Sequence, residues 1–222
     1  MVSDFVGRVL ENRQLTEFVF ESVLELDKPM IWEAGQYISL QIPNSKFQIP
    51  TRRNYSICSM PDNQKSISFC VDTKPNGPGS QLIRSLKPDD KIFFKGPLGK
   101  FKIQNSKFKN NIFVATGTGI GPFKAMISQL INKKNSVQLF FGLRHQKDIF
   151  YQDFFEDLTN KFSNFKFQIV NSDGGHHVTE FVLPQAETAY YLCGNMNMIK
   201  DVTAKLETGG VPSQNIHLES YY

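Results

Sequence analysis

The pattern of apolar residues changes near Phe101, and this change constrains the fold more than any other feature of the sequence. Before Phe101, short runs rich in Phe, Val and Ile are separated by Gly, Pro and Asn, which predicts a small antiparallel β-barrel or sandwich. After Phe101, apolar strand candidates alternate with longer helical patterns, which predicts a parallel sheet with helices on both faces. We therefore expect two domains: an antiparallel β-barrel over residues 1–104, then a doubly wound α/β parallel sheet over residues 105–222.

The same runs suggest where individual elements lie. In the first domain we predict strands over residues 16–20, 37–42, 66–71 and 91–95, and one short helix over residues 80–86. In the second domain we predict strands over residues 111–115, 137–141, 165–170 and 189–192, and helices over about 122–132, 150–162 and 195–207. The polar stretch 104–111 has the composition of a linker.

Composition and charge exclude several classes of protein. A chain of 222 residues with 40% hydrophobic content can give each of two domains its own core. The net charge of +4 is mild and no arginine-rich run occurs, so a nucleic-acid-binding protein is not indicated. The N-terminus lacks the pattern of a signal peptide, and no apolar stretch approaches the roughly 20 residues of a membrane span. We expect a cytoplasmic protein, most simply a monomer.

The three cysteines stand far apart and form no C-x-x-C pair. This spacing argues against a disulfide framework, a structural zinc site and an iron–sulfur cluster, and it favours a reducing compartment. Adjacent His176 and His177, close to Asp173, are the one arrangement that suggests a metal. Paired histidines in a Gly-Gly loop are more often solvated, so we expect no metal site.

A glycine-rich turn opens the second domain. Residues 111–123 read as a strand, the turn G-T-G-I-G-P and the start of a helix, with Pro122 placed where a first helical residue needs no N–H. Such a helix start offers N–H groups and a positive dipole end to a pyrophosphate. The alternative is that these glycines only make a tight turn. A second turn at Cys193-Gly194 also follows a strand, although a lone cysteine there is often just a small buried apolar residue.

The segment Arg53-Asn54-Tyr55-Ser56 places a cation, an aromatic ring and a hydroxyl within four residues of a predicted strand. In a strand, Arg53 and Tyr55 share one face and Ser56 points to the other. An arginine fork suits a pyrophosphate, and a tyrosine can pack on a ring system. Taken alone, the segment is equally an ordinary strand with an exposed arginine. Downstream, the turn over residues 77–82 leads into a helix and is a second anion-binding design.

Six motifs, taken in their order along the chain, allow these segments to be interpreted together. They are R-x-Y-S-x-x-S from Arg53, G-x-x-S-x-L from Gly77, G-P-x-G-x-F, G-T-G-I-x-P, a C-G turn and a terminal E-x-Y. Together they resemble the ferredoxin–NADP reductase family over essentially the whole chain. The resemblance implies a six-stranded antiparallel barrel that holds FAD, followed by a domain that binds NADH or NADPH.

The resemblance also implies roles in the barrel. Arg53, Ser80 and the backbone of Gly79 would contact the FAD diphosphate. Tyr55 would pack against the isoalloxazine ring, Ser56 would lie near flavin N5 as a catalytic residue, and the FAD contacts would include Val71.

In the second domain, the resemblance implies that the turn 116–122 holds the coenzyme pyrophosphate. The residues concerned are Thr116, Gly117, Thr118, Gly119 and Pro122. Cys193, with Gly194, would lie beside the nicotinamide and help to orient it. Glu219 and Tyr221 match the terminal E-x-Y and would act in catalysis, but Tyr222 extends one residue further, so either tyrosine could stack on the flavin.

Two residues bear on the choice of coenzyme. Asp173 stands where NADP-specific relatives tend to have arginine, and a carboxylate there repels a 2′-phosphate and can accept a ribose hydroxyl. Arg144 could still supply a phosphate contact. The sequence therefore leans towards NADH and leaves NADPH open.

The resemblance implies an FAD-dependent oxidoreductase that transfers hydride between NAD(P)H and FAD and single electrons to a protein carrier such as ferredoxin or flavodoxin. The lysines between residues 87 and 109 are a reasonable docking site for an acidic carrier, or simply a solvated face. Three alternatives remain: the reductase component of an oxygenase or other multicomponent system, a free-flavin reductase, and a non-catalytic electron-transfer subunit.

Overall fold

The computed structural model describes residues 2–43, 51–104, 108–132 and 135–221. These residues form two compact units. The first runs to Lys102 and also includes Gly121–Met126, and the second holds Ile103–Ile120 and the residues from Ile127 onward. The first change of unit thus falls after Lys102, while the start of one helix groups with the first unit.

The first unit is built on one six-stranded antiparallel sheet in the order β4-β3-β6-β1-β2-β5. An antiparallel bridge between Ile57 and Phe69 joins the segment after β4 to β5, so the two edges of the sheet meet and the sheet curves into a barrel. One helix, α1, follows β5. The elements are β1 Ser3–Gln14, β2 Val19–Leu26, β3 Tyr37–Ile42, β4 Thr51–Ser56, β5 Ser66–Asp72, α1 Pro78–Ser85 and β6 Lys91–Leu98.

The second unit is built on a five-stranded parallel sheet in the order β11-β10-β7-β8-β9. The chain starts at the central strand β7, adds β8 and β9 on one side, and returns to add β10 and β11 on the other. The elements are β7 Asn110–Thr116, α2 Gly121–Ile131, β8 Ser136–Leu143, α3 Gln152–Lys161, β9 Phe165–Asn171, α4 Val178–Phe181, β10 Thr188–Asn195, α5 Met196–Thr208 and β11 Ile216–Tyr221.

This strand order determines where a ligand can bind. The direction of winding reverses between β7 and β10, and in open parallel sheets ligands lie at the carboxyl ends of the strands at such a reversal. The glycine turn from Gly117 follows β7, whereas Cys193 and Gly194, expected after a strand, lie within the last residues of β10. The core around them is apolar, with Val114 and Leu192 fully buried in the strands and Val202 fully buried in α5.

A buried carboxylate in the barrel receives two cations. Glu21 of β2 is 3% exposed and lies 2.6 Å from Nη2 of Arg13 and 3.1 Å from Nζ of Lys124, and the Ser68 hydroxyl donates to it. Lys124 belongs to the part of α2 that groups with the first unit. A buried charge is tolerated when it is paired and hydrogen-bonded in this way.

The predicted fold class is confirmed: an antiparallel barrel precedes a doubly wound parallel sheet. The strand predicted over residues 16–20 is wrong at its start. The Thr16 hydroxyl accepts hydrogen bonds from the N–H groups of Phe18 and Val19, so a tight turn joins β1 to β2, and β2 begins only at Val19. Among the described residues, the longest helix has 13 residues, and none has the length and apolar character of a membrane span.

Candidate functional site

The strand β4 presents the Arg53, Tyr55 and Ser56 side chains in the alternation that the sequence predicts. Arg53 is exposed, Tyr55 is half-buried, and Ser56 is buried at 5% exposure. The Tyr55 ring stacks on Phe69 with centroids 5.5 Å apart and an interplanar angle of 15°. This stacking supports one face of the tyrosine ring within the barrel. The Arg53 guanidinium donates to the carbonyl of Arg52 at 2.8 Å.

The N-terminus of α1 lies against the same strand. A side chain at Gly79 would begin 2.8 Å from the Tyr55 hydroxyl and 3.3 Å from Cγ of Arg53, so only a glycine leaves both residues in place. The helix starts with Pro78 after Gly77, which carries no side-chain cap. Backbone N–H groups in the first turn of a helix have no intrahelical acceptor, so those of Gly79 and Ser80 suit an anion.

These contacts test whether the first unit fits FAD. The Arg53 side chain and the Tyr55 hydroxyl both lie within a few ångströms of Gly79 at the start of α1, although the two motifs are separated by more than twenty residues. A phosphate-containing ligand with a planar ring system needs this combination of partners. The residues present therefore fit the group. Val71, also expected to contact FAD, lies in β5 at 4% exposure as part of the barrel core.

The two glycine turns of the second unit are in backbone contact. A side chain at Gly119 would collide with the Cys193 carbonyl and would begin 2.7 Å from the Gly194 nitrogen. Gly194 has φ +133°, and a side chain there would collide with Thr116. The Asn195 N–H donates to the Thr116 hydroxyl at 2.9 Å. The structure thus brings together the ends of β7 and β10.

The turn after β7 leaves room for a ligand. Gly117 has φ +53°, and among the described residues no atom lies within 4 Å of the point where its side chain would begin. Thr118 is half-buried, and Pro122 is buried in the first turn of α2. An open glycine backbone that leads into a helix N-terminus is the arrangement that accepts a pyrophosphate. The residues of this turn fit a dinucleotide coenzyme.

The strand β11 places the expected catalytic residues next to the second glycine turn. In the parallel ladder, Cys193 pairs with Glu219, and Asn195 pairs with Tyr221. Ladder partners and residues two apart share a face, so Cys193, Glu219 and Tyr221 lie on one face of the sheet. Cys193 is fully buried, whereas Glu219 and Tyr221 are half-buried. Tyr222 lies outside the described residues, so its role stays a prediction.

A row of three stacked rings supports that face, and sequence reasoning missed it. Tyr191 stacks on Phe113 at 4.8 Å and on His217 at 5.0 Å, and all three are ladder partners in adjacent strands. Burial lowers the pKa of His217 and raises the pKa of Tyr191 to about 12, so both rings stay neutral at pH 7. The two-residue spacing of His217, Glu219 and Tyr221 was the only sequence signal for this row, because residues two apart share one face of a strand.

The residues expected to determine the preference for NADH or NADPH lie at the ends of β8 and β9. Arg144 is exposed just after β8, and its carbonyl accepts the Asp173 N–H at 3.1 Å. Nδ1 of His145 lies 2.5 Å from Oδ2 of Asp173. Sequence reasoning missed His145, whose only signal was its position directly after Arg144. Arg144 and Asp173 are therefore brought close together at one edge of the sheet.

The two adjacent histidines have partners within their own segment. Nδ1 of His176 lies 3.0 Å from Oε2 of Glu180, and the His177 N–H donates to Oε1 of Glu180 at 2.7 Å. Both contacts lower the pKa of Glu180, the His176 contact most. Within the described ranges, no group of three or more His, Cys, Asp or Glu side chains is placed to hold a metal ion.

Comparison with known families assigns the two halves separately. The family model described as an oxidoreductase FAD-binding domain matches residues 8–103. The one described as an oxidoreductase NAD-binding domain matches residues 113–204. The first range contains β4 and the start of α1, and the second contains both glycine turns.

Individual proteins agree with these assignments. Ferredoxin–NADP reductase B of Sorangium cellulosum is 29% identical over 98% of this chain and 97% of its own length. Phenol hydroxylase P5 protein of Acinetobacter pittii is 27% identical over the whole chain, which spans 66% of that relative. A ferredoxin NADP+ reductase from Neisseria gonorrhoeae, solved with bound FAD and NADP, has a TM-score of 0.85 at 18% identity, with 100% and 99% of the two chains covered.

Proposed function

Because the chain belongs to the ferredoxin–NADP reductase family, as an FAD-dependent NAD(P)H oxidoreductase, we propose that it supplies single electrons to a small protein carrier such as ferredoxin or flavodoxin. The observation that carries the proposal is the convergence of Arg53, Tyr55 and Gly79 at the N-terminus of α1. When bound, FAD takes up hydride and gives electrons one at a time, which is the chemistry that such a carrier needs.

The residues of the first unit hold and orient FAD in this proposal. Arg53 and the N–H groups of Gly79 and Ser80 bind the diphosphate, since a guanidinium fork and helix-terminal N–H groups are both strong phosphate donors. Tyr55, held from behind by Phe69, packs against the isoalloxazine ring, and Ser56 provides a hydroxyl near N5. Val71 supplies apolar surface from the barrel core.

The residues of the second unit bind NAD(P)H. The turn formed by Thr116, Gly117, Thr118, Gly119 and Pro122 receives the pyrophosphate, and Gly194 keeps the neighbouring backbone close. Cys193 and Glu219, paired across β10 and β11, would orient the nicotinamide. The role that the resemblance implies for Tyr221, an aromatic ring for the flavin, stays a prediction. We propose that residues 1–104 and 105–222 act as the FAD and NAD(P) domains.

The choice of carrier is tested by following turnover with different acceptors. We expect NADH or NADPH, with catalytic amounts of this protein, to reduce cytochrome c only when a ferredoxin or flavodoxin is added. Rapid reduction of free FMN, with no transfer to either carrier, would overturn the proposal in favour of a free-flavin reductase.

A second function is supported by the likeness to phenol hydroxylase P5 protein. In that case the chain would be the reductase part of an oxygenase or other multicomponent system. Such a protein would fail with both carriers but would reduce the isolated iron–sulfur partner of its oxygenase. The same assay therefore separates the two functions.

A further inference from the structure

The ends of β8 and β9 are joined by a pair of ionisable side chains. His145 Nδ1 lies 2.5 Å from Asp173 Oδ2. The Asp173 backbone is fixed as well, because its N–H donates to the Arg144 carbonyl at 3.1 Å and to Oδ1 of Asn171 at 2.9 Å. His145 thus contacts the Asp173 carboxylate, while Arg144 and Asn171 hold the backbone of the same residue.

The pair is open to a ligand. The His145 side chain is 39% exposed and that of Asp173 is 54% exposed. Both lie at the carboxyl edge of the parallel sheet, and β8 is the direct neighbour of β7, after which the glycine turn begins. In doubly wound sheets, an acidic residue at this edge accepts the adenosine ribose hydroxyl, whereas a cation accommodates a 2′-phosphate.

We propose that His145 determines the coenzyme preference through its charge, an inference that rests on the proposed function. With a neutral imidazole, Asp173 keeps its full negative charge, accepts ribose hydroxyls and repels a 2′-phosphate. With a protonated imidazole, the pair is neutral overall, and Nε2 becomes an additional cationic donor for the phosphate. Protonation of His145 in acid is therefore expected to weaken the discrimination against NADPH.

The experiment must distinguish the effect of His145 from the effects of other ionisable groups on the surrounding segments. Arg144 carries a constant positive charge, and Nδ1 of His176 is engaged by Glu180 at 3.0 Å. The 2′-phosphate itself also changes charge near pH 6. The ionisable residues on these segments are Arg144, Lys147, Asp148, Asp173, His176, His177 and Glu180.

Binding of nucleotide fragments tests the proposal without turnover. The purified flavoprotein is titrated calorimetrically with 2′-phospho-AMP and with AMP at about pH 6 and about pH 8. We expect the preference for 2′-phospho-AMP over AMP to rise about five- to tenfold on going to the lower pH. In His145→Gln, a neutral donor that can still bond Asp173, only the small change from the phosphate itself should remain.

Two further variants complete the test. His145→Lys carries a fixed charge and should favour 2′-phospho-AMP at both pH values, while His176→Gln should behave like the unmodified protein. Equal pH responses in the unmodified protein and His145→Gln would overturn the inference and leave the proposed function intact. Failure of both fragments to bind, with no reduction of FAD by NADH or NADPH, would overturn both.

Discussion

Half of the six residues of β4 carry the proposed FAD contacts, and the surroundings of Arg53 and Tyr55 suit these two side chains to that role. Arg53 is exposed, so its charge costs no desolvation before a phosphate binds. Tyr55 is held by Phe69 on one side and lies against Gly79 at its hydroxyl end. A ring fixed in this way loses little conformational entropy when a ligand packs on it.

Replacing Arg53 by Met should weaken FAD binding about 10- to 100-fold, because a charge-assisted hydrogen bond contributes about 1.5–3 kcal/mol. The adjacent Arg52 is the matched control, since it is also exposed but lies on the opposite face of β4. Arg52→Met should change the affinity by less than about twofold. The measurement is titration of the apoprotein with FAD by fluorescence. Equal losses in the two variants would contradict the assignment.

His217 should make the stability of the protein depend on pH. Burial holds its pKa below the ordinary value of 6.5, so the unfolded chain takes up a proton that the folded protein resists. Stability should therefore be lost as the pH falls through about 6.5 towards the lower folded-state pKa. His217→Phe keeps a ring against Tyr191 and should lose less stability over the same pH range, measured by thermal unfolding. An unchanged pH dependence would show that another group is responsible.

At the scale of elements, the second unit depends on two strand ends that approach too closely for side chains. Gly119 lies against the Cys193 carbonyl, and Gly194 lies against Thr116. This contact keeps β7 and β10 side by side at the reversal of the sheet. The neighbouring Gly117 leaves the backbone open where a pyrophosphate would bind.

Gly119→Ala should therefore destabilise the protein by about 3 kcal/mol, since the new methyl group meets backbone atoms that cannot move independently. It should also weaken NAD(P)H binding, because relief of the collision separates the two turns. Gly174→Ala is the control: among the described residues, no atom lies within 4 Å of its added methyl group. Chemical denaturation and coenzyme titration provide the two measurements. A fully stable Gly119→Ala variant would contradict this account of the turn.

Much of this arrangement could be predicted from the sequence, because glycine spacing and apolar alternation report local structure. The turn at 116–122 and the order of strands and helices in the second half are examples. The start of β2 was missed because Thr16 looks like a strand residue until its hydroxyl is seen to accept from Phe18 and Val19. The contact between His145 and Asp173 depends on the register of β8 and β9, which no local pattern reveals.

At the scale of the whole molecule, the proposed function divides two tasks between the two units. The proposed contacts for FAD lie on β4 and α1 in the first unit, and those for NAD(P)H lie at the ends of β7, β10 and β11 in the second. In each unit the relevant segments are distant in sequence and are brought together by sheet topology. The mildly basic chain, with net charge +4, suits an acidic carrier without requiring one.

The buried Glu21 should contribute to the stability of the first unit. Glu21→Gln removes the carboxylate that Lys124, 18% exposed, and the more exposed Arg13 both contact. We expect a loss of about 2 kcal/mol, below the 3–5 kcal/mol of fully buried pairs because both cations reach solvent. Denaturant unfolding followed by flavin fluorescence measures it. Glu25→Gln is a suitable control, since its pair with Arg8 is exposed and should contribute less than about 1 kcal/mol.

The central claim, that FAD and NAD(P)H react on this chain, is tested most directly by mixing the purified protein with each coenzyme in the absence of oxygen. The protein should be yellow, contain about one FAD per chain, and lose its visible absorption with NADH, NADPH or both. The Arg53→Met variant should recover this bleaching only with added FAD. A protein that takes up no FAD, or that binds FAD and keeps its colour with both coenzymes, would contradict the account.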